Sequence, residues 1–282
     1  MFARLLILEA RRACARRECK AAVTIMLLFA LIGFAQTCWM FFGEEAGSVP
    51  GAAYGWAWNN LRMQAHALMI YIALLLFPVA SLVAAGNLAQ EVREGTAAAI
   101  ASRTSTPTYI WANATVAFVG GFLITLAMAA LLQVLALVTF PIEGSFAGSM
   151  NTPVYLETPA DGLFAGLSSV RPYLANTAYA LYASAWAGIV ALLSFAVSLL
   201  ARTNRWIAWG VPVGFGVLSS AAHGLLSSSG AIGFNTFIPS YLFPNPSTNL
   251  SVTFAVIAPT VVFGLSLLII AAAIRMRRDV LL

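Results

Sequence analysis

Apolar residues along this chain fall into six long uncharged runs, separated by short polar or charged breaks: 21–42, 64–89, 109–140, 173–201, 206–222 and 251–274. About 20 helical residues cross the hydrocarbon core of a bilayer, and every run but the fifth reaches or approaches that length. The third is longer than a bilayer needs, which predicts tilt or protrusion. Pro78, Pro212 and Pro259 fall inside the second, fifth and sixth runs. Each predicts a kink, tolerable where a neighbouring helix satisfies the carbonyl that proline frees. The pattern predicts an all-α integral membrane protein: one transmembrane domain over residues 1–282 with six transmembrane helices.

The breaks carry the remaining information. Residues 1–20 mix Leu5, Leu6, Ile7 and Leu8 with Arg4, Arg11, Arg12, Arg16, Arg17 and Lys20, and the charges do not fall on one clean helical face. This predicts a helix lying in the membrane interface with its arginines on lipid phosphates; a frayed, solvated leader is the plainer alternative. The segment 223–250 has no Asp, Glu, Lys or Arg and reads HGLLSSSGAIGFNTFIPSYLFPNPSTNL. It is apolar enough to dip back into the membrane before the sixth span, and an ordinary outer loop packed on the protein fits its composition nearly as well.

The most specific break is residues 90–113, QEVREGTAAAIASRTSTPTYIWAN. It holds Glu91, Arg93, Glu94 and Arg103 where charge is otherwise scarce. Gly95 can take the left-handed conformation that ends a helix. Thr96 can cap the next helix by accepting a free backbone N–H. Ala97 to Arg103 is a strong helix-forming run with a cation at its end, about 10 Å long. Thr106-Pro107 reads as a further start, a capping hydroxyl followed by proline at the first helical position. The expected order is helix, break, short helix, break, helix, with the short helix lying across the membrane face.

Composition agrees with the runs. Of 282 residues 61% are hydrophobic and only 9% charged, with a mean hydropathy of +0.87; soluble domains carry about 25% charged residues. The net charge of +5 reports orientation here rather than nucleic-acid binding. Thirteen of the fifteen basic residues fall in residues 1–20, 86–108, 202–205 and 275–278, against Arg62 and Arg171 on the other side. By the positive-inside rule both termini are cytoplasmic. Trp39, Trp56 and Trp58 would mark the outer interface, and Trp111, Trp206 and Trp209 the inner one. Neither outer loop, 43–63 or 141–172, is long enough for a sizeable folded domain. Cys14, Cys19 and Cys38 form no C-x-x-C pair, and no disulfide framework or cleavable signal is expected.

Several chemistries are missing. No P-loop exists, since the only lysine, Lys20, lies in Cys-Lys-Ala. His66 and His223 are far apart and form no zinc motif; each reads as an interfacial packing residue. No G-x-S-x-G elbow occurs. No catalytic, cofactor or metal residue is expected, and the chain is not read as an enzyme. The central parts of the runs hold no ionisable residue, which disfavours proton coupling, although backbone carbonyls can bind sodium. Pairs of small residues four apart, Gly210 with Gly214 and Ser184 with Gly188, allow close helix packing, most simply within the chain.

Taken together, Glu91, Glu94, Gly95, Thr96 and Ala97–Ser102 resemble the link between the second and third spans of type-2 ABC exporter permeases, which have the type V exporter fold. The proline, at Pro107, lies later than in that family, after Arg103 rather than before an arginine. The basic start, the loop with Arg202 and Arg205, and the apolar segment before the last span extend the resemblance over the whole chain. It implies a coupling helix that seats on a separate ATPase subunit through Glu91, Arg93, Glu94, Gly95, Thr96, Ala97, Ala98, Ala99, Ile100 and Arg103. It also implies a dimer with an identical or sister permease chain, ATP and Mg held by the ATPase subunits, contact with membrane lipid and none with nucleic acid, and a cell membrane, bacterial inner or plasma membrane, as location. The cargo expected from uncharged spans is apolar or amphiphilic: a drug, an antimicrobial peptide or a lipid. The alternatives are a self-sufficient carrier or channel and a membrane-embedded enzyme.

Overall fold

The structure, a computed structural model, describes residues 2–43, 49, 51–53, 66–142, 163–201, 204–227, 242 and 252–276. Among these, every regular element is helical. Helix α1 (Phe2–Ala15) gives way at Arg16 to α2 (Arg17–Met40). The second apolar run forms α3 (His66–Ile70), a π-helical turn (Tyr71–Leu75), α4 (Leu76–Leu82) and α5 (Asn87–Arg93). Then come the short α6 (Thr96–Arg103) and the long α7 (Thr106–Thr139). The chain continues with α8 (Ala165–Val170), α9 (Pro172–Leu200), α10 (Arg205–Ser227) and α11 (Val252–Met276).

Among the described residues, four helices are long and apolar enough to cross a membrane: Arg17–Trp39, Thr106–Thr139, Pro172–Leu200 and Ala255–Met276. A fifth span is made if His66–Leu82 and Asn87–Arg93, bent by 43° to each other, are taken as one; Trp206–Ala221 is a shorter apolar helix. The chain is therefore an all-helical, multi-pass membrane protein.

The second run departs from expectation. It does not continue as one helix to residue 89 with its bend at Pro78. The π turn lies just before Pro78, as is usual where the i→i−4 ladder is disturbed, but the large bend comes at residues 83–86, ending in Gly86. The fifth run also differs: α10 continues five residues past its apolar run, through His223, to Ser227. The rest of the 223–250 segment, apart from Leu242, lies outside the described residues, as does most of both outer loops.

Helix α9 is the centre. In its most apolar window 83% is buried, against 28% for α2 and α11, and α7, α11, α10 and α4 all pack on it. Small side chains make this possible. A Cβ on Gly188 would lie 2.8 Å from the Phe118 carbonyl oxygen, and one on Gly121 would lie 2.9 Å from the Ala191 Cβ. Only glycine lets α7 and α9 approach this closely. The Ser184–Gly188 pair thus packs within the chain. Gly210 and Gly214 have no such neighbour among the described residues, since an added Cβ at either meets nothing within 4 Å.

Polar groups fasten the bundle at depth. Pro259 has no N–H for the Ala255 carbonyl four residues earlier, and the Tyr182 hydroxyl of α9 donates to that carbonyl at 3.1 Å. Trp186 Nε1 donates to the same hydroxyl at 3.1 Å. This is the neighbour that the proline required. At the end of the bundle where α7 finishes and α9 begins, the Asn176 amide donates to Gln133 Oε1 at 2.8 Å and to the Ala53 carbonyl at 2.9 Å. Gln133 donates in turn to the Ala52 carbonyl at 3.3 Å.

Tyr182→Phe orphans the Ala255 carbonyl and should cost about 1 kcal/mol. In a Pro259→Ala background the backbone N–H returns, and the same substitution should cost less, since only the bond from Trp186 Nε1 is then lost. Thermal melts of the four proteins in detergent measure this coupling.

Candidate functional site

The turn out of α5 follows helix-ending chemistry. Gly95 has φ of +73°, in the left-handed region, and its N–H reaches the Val92 carbonyl at 3.2 Å. Thr96 behaves differently from expectation. Its hydroxyl donates to the Glu91 carbonyl at 3.2 Å instead of accepting an N–H, so it closes the end of α5 rather than capping α6. The start of α7 is likewise set one residue earlier: Ser105, not Thr106, is the N-cap and accepts from the Thr108 N–H at 3.4 Å. Serine and threonine are close in capping strength, and the residue whose backbone stays extended takes the role.

Glu91 is only 1% exposed, which corrects its place as a solvated contact on the membrane face. Its Oε1 accepts from Arg16 Nη2 at 2.8 Å, and its Oε2 accepts from the Tyr109 hydroxyl. The other nitrogen of Arg16 donates to the Asn87 carbonyl at 2.9 Å and to Asn87 Oδ1 at 3.2 Å. One guanidinium thus bonds the backbone just past the bend and neutralises the carboxylate one turn on. The cluster joins the α1–α2 break to α5 and to the start of α7.

A second carboxylate lies beside it. Glu9 on α1 is fully buried and pairs with Arg12 at 3.4 Å. Burial chiefly, then the charge of the nearby Glu91 carboxylate, push the Glu9 carboxyl up to about 7 from an ordinary 4.5, while Arg12 and Arg16 pull the other way. The second oxygen of Glu9, Oε2, is buried without a hydrogen-bond partner among the described residues, which suits a carboxyl group that holds its proton more tightly than usual.

The expected contact residues therefore divide. Glu91 and Ala97 point inward and are buried; Ile100 is half-buried; Arg93, Glu94, Gly95, Thr96, Ala98, Ala99 and Arg103 are exposed. Glu94 is held on the surface by Gln90, 2.8 Å away. The pattern of apolar runs gave no hint of Glu9, Arg16, Asn87 or Tyr109 as partners of this link. One signal was present: Leu5, Glu9 and Ala13 recur every four residues, and these are the buried positions of α1. An acid at helical spacing between apolar residues marks an inward face.

Glu9 contributes a pH-dependent term whose sign follows from its raised pKa. The folded protein keeps the proton that the unfolded chain releases near 4.5, so the term is fully present below that pH and is lost as pH rises through about 7. Glu9→Gln mimics the protonated form; its melting temperature should change less between pH 5 and pH 8 than that of the wild type. Separately, Glu91→Gln leaves Arg16 without its buried counter-charge and should cost about 3 kcal/mol, whereas Glu94→Gln on the surface should cost under about 0.5 kcal/mol. Denaturation followed by helical circular dichroism compares the two.

Comparison with protein-family models, with curated proteins and with solved structures finds no match to this chain.

Proposed function

We propose that this chain is the permease subunit of an ATP-driven ABC exporter, six spans with both termini in the cytoplasm, working as a permease dimer with separate ATPase subunits. One observation carries the reading: α6 is a short surface helix anchored as a mechanical relay would need. Its outer side offers Ala98, Ala99 and Arg103. Its inner side is fixed by buried Ala97 and by the Thr96 bond to the Glu91 carbonyl. Behind that bond stands the ion pair to Arg16. A partner pressing on α6 would push on α5, α1 and α7 together, because buried, paired groups transmit displacement instead of absorbing it.

The spans fit this reading. In it α10 is the fifth span and the bent α3–α5 segment the second. A cleft of about 310 Å³ between them is lined by Leu74, Phe77, Pro78, Pro212, Val213 and Ser220 among others, with no charged side chain. Such a lining suits an apolar or amphiphilic cargo. The energy then comes from the ATPase subunits, which bind ATP and Mg.

The test is a bulky charge on the outer side of α6. Ala98→Arg and Ala99→Arg should insert normally, and at least one should lose ATPase co-purification or transport; Glu94→Ala tests the adjoining surface. If all three insert, hold the ATPase and transport like the wild type, α6 is only a loop and the proposal fails. Uphill transport that persists after the ATPase's catalytic carboxylate is removed would favour a self-sufficient carrier.

A further inference from the structure

Helices α1 and α6 enclose a groove that shares Ala99 and Arg103 with the surface proposed above for the ATPase and runs from there towards α1. It has a volume of about 460 Å³, with Arg4, Arg12 and Arg103 on its walls and Leu5, Leu8 and Ile100 on its floor. Among the described residues, Arg4 and Arg103 make no ion pair. Arg12 has Glu9 as partner at 3.4 Å. Three guanidiniums round one groove repel each other unless an anion enters, and guanidinium matches phosphate oxygens through paired N–H donors. The floor adds a second requirement, because a small hydrated anion would leave leucine and isoleucine side chains facing water. Next to the groove, α1 exposes Phe2 and Ile7, the mark of a helix bedded in the boundary between headgroups and acyl chains.

We propose that the groove between α1 and α6 is a binding site for an anionic phospholipid, with its phosphate between Arg4, Arg12 and Arg103 and the start of an acyl chain along Leu5, Leu8 and Ile100. Each element of the site answers one part of such a molecule; a free phosphate lacks the acyl chain, and a zwitterionic lipid brings its own cation, which is repelled by the three guanidiniums. The site differs from general attraction of a basic segment to the membrane, because Arg103 comes from α6, 91 positions after Arg12. It requires only that the chain is a membrane protein, not that an ATPase partner exists.

The purified full-length chain, stripped of lipid in detergent, is titrated with phosphatidylglycerol and with phosphatidylcholine of the same acyl chains, and bound lipid is counted by native mass spectrometry. Wild type should retain phosphatidylglycerol over phosphatidylcholine. Arg4→Gln combined with Arg103→Gln should weaken phosphatidylglycerol binding about tenfold or more. The charge-matched control Arg11→Gln with Arg17→Gln, on exposed arginines outside the groove, should change it much less. Millimolar inorganic phosphate should not displace the lipid. Equal retention of the two lipids by wild type, equal loss in the control, or displacement by phosphate would each overturn the proposal. So would a groove variant that keeps its lipid but loses a co-purifying protein, which assigns the groove to a protein partner.

Discussion

The contact between Arg16 and Glu91 governs the end of the molecule where the α1–α2 break meets α5 and the start of α7. Arg16 occupies the extended residue between α1 and α2, and Glu91 follows shortly after the bend in the second segment. Two breaks in the chain are thus pinned to each other by one ion pair, with Tyr109 bringing in the start of α7. Burying two charges is costly, and their attraction offsets this only when the remaining donors and acceptors are also satisfied. Here Asn87, Gln90 and Tyr109 supply those bonds. An apolar substitute of equal volume could hold the helices together. It could not donate to the Asn87 carbonyl, which accepts from Arg16 just beyond the break.

The same requirement for satisfied polar groups orders the spans. In hydrocarbon there is no water to take up a carbonyl that proline has left alone. The Ala255 carbonyl meets the Tyr182 hydroxyl, and serine hydroxyls on α9 bond back to their own helix, as Ser184 does to Ala180 and Ser194 to Val190. These short side chains also keep α9 slim enough for α7 to cross at Gly121 and Gly188. On α9 small residues thus serve both needs, glycine for close approach and serine for internal hydrogen bonding, in the most buried of the long apolar helices among the described residues.

Much of the fold was legible because hydropathy is written into length: α2, α7, α9 and α11 begin and end within a few residues of the runs that predict them. Gly95 was legible too, since a left-handed turn between two helices leaves few choices of residue. The bend at residues 83–86 was not, because no proline marks it, and Arg16, which bonds Asn87 just beyond it, lies 71 positions away in the chain. Thr96 was assigned to the wrong helix for a related reason. A threonine hydroxyl both donates and accepts, and the competing Glu91 carbonyl becomes visible only once α5 has ended. Glu91 looked solvated because charge at the end of an apolar run usually is; its buried state depends on α1 folding back over it, a tertiary fact.

The two ends of the bundle are fastened by different chemistry, and the difference has consequences. At one end neutral amides, Asn176 and Gln133, bond to the Ala52 and Ala53 carbonyls. Amides and carbonyls do not titrate, so these bonds themselves carry no pH dependence. At the other end the fastening contains two carboxyl groups, two guanidiniums and a phenol within one cluster. Removing the Glu9 proton places a second negative charge next to Glu91, and the positive charges of Arg12 and Arg16 must then serve both carboxylates. An uncharged clasp suits an end that only has to stay closed. A charged one sits beneath α6, the exposed short helix, where its strength responds to protonation and to any anion that draws on Arg12. The end best suited to receive a signal is therefore also the end whose internal bonds are adjustable.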